Sequence, residues 1–255
     1  MDRYYFAVSS LPPLQFKVAP EISFKEFYDL MEMNLSSKDL EEFHRLLEPL
    51  DLYNIKALWL GMPIEAQGTM SAKELEEELL VRDTLPPYLI DFLEEYETSE
   101  DRLHYFSALY AGMYAQEFKG FLGWYFSFER DVRLVLTALR AKSTGRDIVK
   151  ELQFEDPQDS KVAQILAQKD SPDYTPPMEY EGLKVLFVEN STDPRKLSEA
   201  LLKYRFEKIG DWGMEEHFSL DRLIAYAARL LILESIVQLN KEQTHGVMEE
   251  LGRYD

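Results

Sequence analysis

The chain has no cysteine in 255 residues and only four histidines. Without thiols there are no disulfides, no thiolate metal centres and no cysteine nucleophiles, and a reducing cytoplasm is the expected compartment. Basic residues are scarce as well: 28 Lys and Arg stand against 47 Asp and Glu, a net charge of −19. Such a surface repels the phosphates of nucleic acid and of anionic lipid, so neither is expected as a direct partner. No stretch reaches the roughly 18 apolar residues of a membrane span. The richest segment, Leu220 to Leu239, carries Asp221, Arg222, Arg229 and Glu234 and reads as a buried helix. The opening residues turn into Leu11-Pro12-Pro13 before an apolar signal core can form, so retention inside the cell is expected. Phosphate-loop, G-x-G-x-x-G, G-x-S-x-G and H-E-x-x-H motifs are all missing.

What is present is apolar surface to bury, 45% hydrophobic residues with 15 Phe and 15 Tyr, which excludes general disorder. One helical phrase also recurs. Asp51-Leu52-Tyr53-Asn54-Ile55-Lys56-Ala57-Leu58-Trp59-Leu60-Gly61 aligns without a gap on Asp131-Val132-Arg133-Leu134-Val135-Leu136-Thr137-Ala138-Leu139-Arg140-Ala141, an offset of 80 (131 − 51). A weaker third copy, Leu230 to Lys241, begins at an offset of 99 (230 − 131). Each copy reads as a long helix, a polar break and a short amphipathic helix: Ser71–Leu79 after the first, Asp147–Leu152 after the second, Gly246–Leu251 after the third. Ser71 with Glu74 has the form of a capping box. Recurrence of this kind marks one supersecondary unit used repeatedly. The expected fold is therefore all-α, with three related helical modules in pseudo-threefold arrangement and at most a minor strand element. The Pro-rich stretches Thr84–Pro87 and Asp170–Pro177 divide the modules at 1–87, 88–177 and 178–255.

Several local expectations follow from propensity and punctuation. Tyr4–Ser9 is strand or helix, and Lys184–Val188 is the most strand-like run. Ser37 is the expected N-cap of a helix over Lys38–Leu47, and Pro194 opens another over Arg195–Ile209. Arg102–Arg140 reads as one very long helix or two, kinked at Gly120 and Gly123.

Chemistry-bearing patterns are few. Two Glu-x-x-His sequences, Glu41 to His44 and Glu242 to His245, have the spacing used by carboxylate-bridged metal sites. The second falls in the polar break of copy three, and Glu-x-x-His arises readily by chance in so acidic a chain. No metal, nucleotide or other cofactor is expected, and no enzyme activity. The acidic runs Glu76–Glu78, Glu94–Glu95 and Glu215–Glu216 read as solvated faces. Against this background Arg130, Arg133, Arg140, Lys142 and Arg146 form a local reversal of charge. Helix-dipole complementarity accounts for the last three, but Arg130 and Arg133 lie too far upstream. The five are therefore the candidate docking patch for an acidic protein partner.

At its repeated phrases the chain resembles the C/d family of V-type (A/V-type) ATP synthase components, the C component of bacteria and archaea and its eukaryotic d counterpart. Helices of that family end in patterns like D/E-x-x-N-I-K-x-L-L-R-x-K, once per module. Asp51 to Leu58 matches well, Asp131 to Lys142 keeps the Asp and the Leu-Arg-Ala-Lys ending, and the third phrase keeps the apolar register and Lys241. Tyr4-Tyr5-Phe6-Ala7-Val8, followed by Ser9-Ser10-Leu11-Pro12, looks like the opening of short bacterial members of that family. The resemblance implies a non-catalytic connector between the central stalk and the proteolipid rotor ring of a V-type ATPase. Its partners would be the central-stalk proteins and the ring, with no nucleotide bound, and it would lie on the inner face of the membrane through those partners. The alternative is a free-standing cytoplasmic helical adaptor; a carboxylate-bridged metal enzyme is the third reading.

Overall fold

A computed structural model describes residues 4–212 and 218–251, with 240–251 described by backbone alone. In chain order the first helices are α1 (Tyr5–Ser9), α2 (Phe24–Asn34), α3 (Ser37–Arg45), α4 (Glu48–Trp59) and α5 (Ala72–Val81). Then come α6 (Pro87–Glu95), α7 (Ser99–His104), α8 (Ser107–Tyr114), α9 (Gly120–Thr144) and α10 (Ile148–Glu151). The last are α11 (Ser160–Ala167), α12 (Glu181–Asn190), α13 (Pro194–Trp212) and α14 (Leu220–Leu251), with a 3₁₀ turn at Met178–Tyr180. No strand occurs among the described residues, so the protein is all-α.

The chain parts into two compact units, residues 44–188 and residues 1–43 with 189–255. In the first unit α9 is the axis. Its Phe121, Leu122, Val132, Leu134 and Ala138 are almost fully buried, at about 1.5–3 kcal/mol for each large apolar side chain removed from water. Helices α8, α10 and α11 pack on it, while α4 packs on α5, α7 and α8. Gly145 ends α9 in the left-handed conformation at φ 67°, a position where glycine avoids the Cβ clash. Ser71 and Glu74 do form the capping box that starts α5.

In the second unit α14 packs on α13, α2 and α1. Ser23 and Glu26 cap α2 reciprocally, and the backbone N–H of Phe24 donates to Glu234 at 2.6 Å. Phe27 stacks on Tyr226 with ring centroids 5.3 Å apart, and the Tyr226 hydroxyl donates to the Pro12 carbonyl at 3.0 Å. One carboxylate, one ring pair and one hydroxyl thus fix residues 12–34 against α14.

Several sequence expectations change. Of the two states left open for Tyr4–Ser9 the helix is realised, as α1, and the strand-like Lys184–Val188 lies in helix α12; short apolar runs do not distinguish the two periods. Arg102–Arg140 is three helices, and Gly120 and Gly123 mark the start of α9 rather than a kink. A Cβ on Gly123 would sit 2.7 Å from the Phe118 carbonyl, so glycine permits the tight entry. The cap of α3 is Ser36, one residue earlier than expected: its hydroxyl accepts from the Asp39 N–H at 3.3 Å.

The pseudo-threefold arrangement is not borne out by the helices that carry the phrases. These differ in length, 12 residues for α4, 25 for α9 and 32 for α14. The third has no break, because α14 runs through residues 242–245. The first two phrases lie in unit 44–188 and the third in the other, so the compact units do not coincide with 1–87, 88–177 and 178–255. The stretch Asp170–Pro177 is no loose linker either, since Tyr174 within it is 1% exposed.

Candidate functional site

The feature best suited to recognition in unit 44–188 is an open cleft of about 520 Å³ between α8 and the turn that precedes α11. One wall is the small-residue face of α8 and its C-cap: Ala108, Ala111, Gly112 and then Ala115, at helical spacing i, i+3, i+4 and i+7. A Cβ on Gly112 would meet Tyr88 at 3.0 Å, so α8 also approaches α6 closely there. Tyr114 and Phe154 supply aromatic lining, and Glu155, Asp156 and Asp159 form the acidic side with Arg130 between them.

Electrostatics hold this acidic turn in place. Arg130 and Arg133 lie one turn apart on α9 and share Glu155, whose side chain is 5% exposed. Arg130 reaches Glu155 at 3.2 Å and Asp159 at 3.0 Å. Arg133 pairs with Glu155 and lies over the Tyr114 ring at 5.5 Å. Asp159 in turn caps α11, accepting from the backbone N–H groups of Lys161 and Val162. Burial works against the charge on Asp159, but those N–H groups and Arg130 outweigh it and lower its pKa. Burial likewise opposes the Arg130 charge, and the bond and charge of Asp159, with Glu155 behind them, raise its pKa nonetheless.

Below the cleft lies a second polar knot. Asp131 is 4% exposed; it accepts from the Tyr180 hydroxyl at 2.8 Å and from Lys161. Lys161 also meets Glu179 at 3.1 Å and lies over the Tyr180 ring at 4.9 Å. Burial pushes the Tyr174 hydroxyl up to about 12, with the Asp131 charge adding to it. At the far end of α9, Lys142 donates to the carbonyls of Gln168, Lys169 and Ser171 at 2.6 to 2.8 Å. The aspartate that aligns with Asp131 in the first phrase behaves alike: Asp51 accepts from the N–H and hydroxyl of Thr69, both at 2.8 Å. Next to it Asn54, fully buried, exchanges two bonds with the backbone of Glu65, and a Cβ on Gly68 would collide with it at 2.3 Å. Both repeated aspartates therefore fasten a downstream segment to their helix, Asp51 a loop and Asp131 the start of α11 and the 3₁₀ turn.

These placements revise the five-residue basic patch. Arg130 and Arg133, the two that dipole complementarity left unexplained, are engaged by Glu155 and Asp159. Lys142 is a carbonyl cap, and Arg146 pairs with Glu151 at 2.9 Å. Arg140 is exposed near the end of α9. The group is thus mostly internal bracing, and only Arg130 of the five lines the cleft. Sequence reasoning missed Glu155, Asp159 and α11 itself, although Asp159 before Ser160-Lys161-Val162 was a legible N-cap signal. Of the proposed metal pair, Glu41 and His44 lie on α3, while the side chains of Glu242 and His245 lie outside the described residues. Among the described residues no group of three His, Asp or Glu side chains could hold a metal ion. Nor is any described helix long and apolar enough to cross a membrane.

A family model described as Protein of unknown function (DUF2764) matches residues 1–251. An uncharacterized protein of Chlamydia muridarum (strain MoPn / Nigg) is 31% identical over 252 residues, covering 94% of this chain and 95% of its own. Another from Chlamydia trachomatis serovar D is 30% identical over 255 residues, covering 95% and 96%. A third, from Chlamydia pneumoniae, is 30% identical over 252 residues, covering 94% and 95%. No solved structure matches. These findings correct the resemblance to the C/d family of V-type ATP synthases: what matches along nearly the whole chain is a different family, and neither its description nor the relatives' names mention a rotary motor or ion transport. Amphipathic helices share Leu, Glu and Lys at similar spacings whatever their family, which is why the phrases misled.

Proposed function

We propose a non-catalytic adaptor role for this chain, which belongs to the family described as Protein of unknown function (DUF2764). The adaptor binds another protein in the cleft beside α8. The observation that supports the reading is how the cleft is made: a wall of Ala108, Ala111, Gly112 and Ala115 faces an acidic turn braced by Arg130 and Arg133. Small side chains let a partner backbone approach closely, and internal ion pairs hold the opposite side ready, so little ordering is left for the moment of binding. Tyr114 and Phe154 offer the aromatic contact area that dominates interfaces. The occupant that fits is a segment with a small or apolar face and a Lys or Arg directed at Asp156, which is exposed. A second copy of a −19 chain is disfavoured by mutual repulsion. The reading places the protein in the cytoplasm, in keeping with the absence of cysteine.

The test fills the cleft. Ala111→Trp and Asp156→Lys are compared with wild type for recovery of a stoichiometric partner from the native organism, with thermal melting as the folding control. Loss of that partner in both variants, with melting unchanged, is expected. Equal recovery by the filled cleft would reject it as the docking place.

A further inference from the structure

A second interaction point lies in the other unit, formed by residues 1–43 and 189–255. There we propose that Arg229 binds a carboxylate presented by an acidic segment of a partner protein.

Arg229 sits on α14 two turns after Arg222, on the same face of a helix that is otherwise largely apolar. The neighbouring helix α13 provides a seat for its flat guanidinium. Phe206 lies beneath it, with Cζ 4.0 Å from the ring centroid. Gly210, one turn on, leaves the space beside it: a Cβ there would come within 3.4 Å of Cζ. The seat holds the group but does not neutralise it. Among the described residues the buried Nε has no hydrogen-bond partner, and no carboxylate forms an ion pair with Arg229. The half-buried guanidiniums of Arg130 and Arg133 each have one. Burial, and then the charge of Arg222, lower the Arg229 pKa, and Tyr226 and Asp211 offset this only in part. A desolvated cation beside a like charge is unfavourable in the free protein, in a chain with 47 acidic residues to choose from.

The chemistry of that seat is specific. A guanidinium held flat on an aromatic ring keeps its rotamer and presents its outer N–H edge as a planar fork, which matches a carboxylate in bidentate fashion. One planar fork without a helix N-terminus or a lysine cluster matches the two oxygens of a single carboxylate better than a tetrahedral phosphate dianion. Because one face is already stripped of water, the pair formed is stronger than an exposed one. The ordering of the arginine is complete before the partner arrives.

The experiment follows the Arg229 Nε–H resonance by NMR in the full chain, assigned by its disappearance in Arg229→Gln. The probes are a blocked tetraglutamate peptide, a tetraglutamine control and inorganic phosphate, each at millimolar concentration and physiological salt. A saturable shift with tetraglutamate alone is expected. Affinity, read in wild type and variants alike from the backbone amide shifts, should be about tenfold lower in Arg229→Gln, the scale of one charge-assisted pair. Arg229→Lys, which keeps the charge but not the fork, should fall between the two and guards against misfolding as the cause. The proposal is overturned by no response to tetraglutamate, by an equal response to tetraglutamine or phosphate, or by undiminished binding in Arg229→Gln. It is also overturned if the resonance moves on changing Glu215 and Glu216 to Gln and ignores the peptide, since the charge would then be matched from within the chain.

Discussion

Replacing Asp131 with Ala tests whether the knot on α9 holds unit 44–188 together. The carboxylate is 4% exposed and serves two donors, the Tyr180 hydroxyl at 2.8 Å and Lys161. A hydrogen bond to a charged group contributes about 1.5–3 kcal/mol, and its loss leaves the Tyr180 hydroxyl, on a residue only 7% exposed, without its acceptor. The Lys161 share is smaller. That side chain is 32% exposed and keeps Glu179 at 3.1 Å, so its contribution is nearer the range of about 0.2–1 kcal/mol for a surface pair. Together these give a loss of about 3 kcal/mol, or roughly 6–12 °C in melting temperature for a chain of this length. The assay is urea unfolding of wild type, Asp131→Ala, Tyr180→Phe and the double variant. Tyr180→Phe alone should cost about 1.5 kcal/mol, and the double variant should fall short of additivity by roughly 1 kcal/mol because both changes remove one bond. An Asp131→Ala protein within about 0.5 kcal/mol of wild type would refute the reasoning, as would strict additivity.

Two further outcomes follow from the same geometry. Burial raises the pKa of Glu48 above its ordinary 4.5, and Arg45 and Gln116 offset this only in part. Folding therefore takes up a proton there, and the stability conferred by the neutral form is present below the ordinary value and lost as pH rises through the raised one. Glu48→Gln should accordingly gain on wild type as pH rises from 4.5 towards neutrality, read as the difference between the two urea midpoints; a flat difference would count against the burial argument. Lys142→Met removes the donor shared by the carbonyls of Gln168, Lys169 and Ser171, and trypsin should then cut after Lys169 faster than in wild type or in an Arg140→Met control. Equal cleavage rates would show that the loop is held by Tyr174 alone.

Helical class, the capping box of Ser71 and the helix start at Pro194 were legible in the chain because they rest on contacts three or four residues apart. Ser71 finds Glu74 within one turn whatever surrounds them, and Gly145 ends α9 through its own φ of 67°. Even the repeated aspartates announced something real, since Asp51 and Asp131 each fasten a later segment of the chain. What each fastens could not be read: Thr69 lies 18 residues on, and Lys161 and Tyr180 lie 30 and 49 residues on. Periodicity specifies which face of a helix is apolar, not which helix meets that face. For that reason the threefold plan was not borne out, and α14 ran on through a break that composition suggested. The partners of the basic residues were hidden for the same reason. Arg130 and Arg133 look like surplus charge along the chain, and only the return of residues 155–159 onto α9 shows their carboxylates. Arg229 is the converse case: an ordinary positive residue in sequence, it becomes a half-buried cation with no paired carboxylate among the described residues only when α13 brings Phe206 and Gly210 against it.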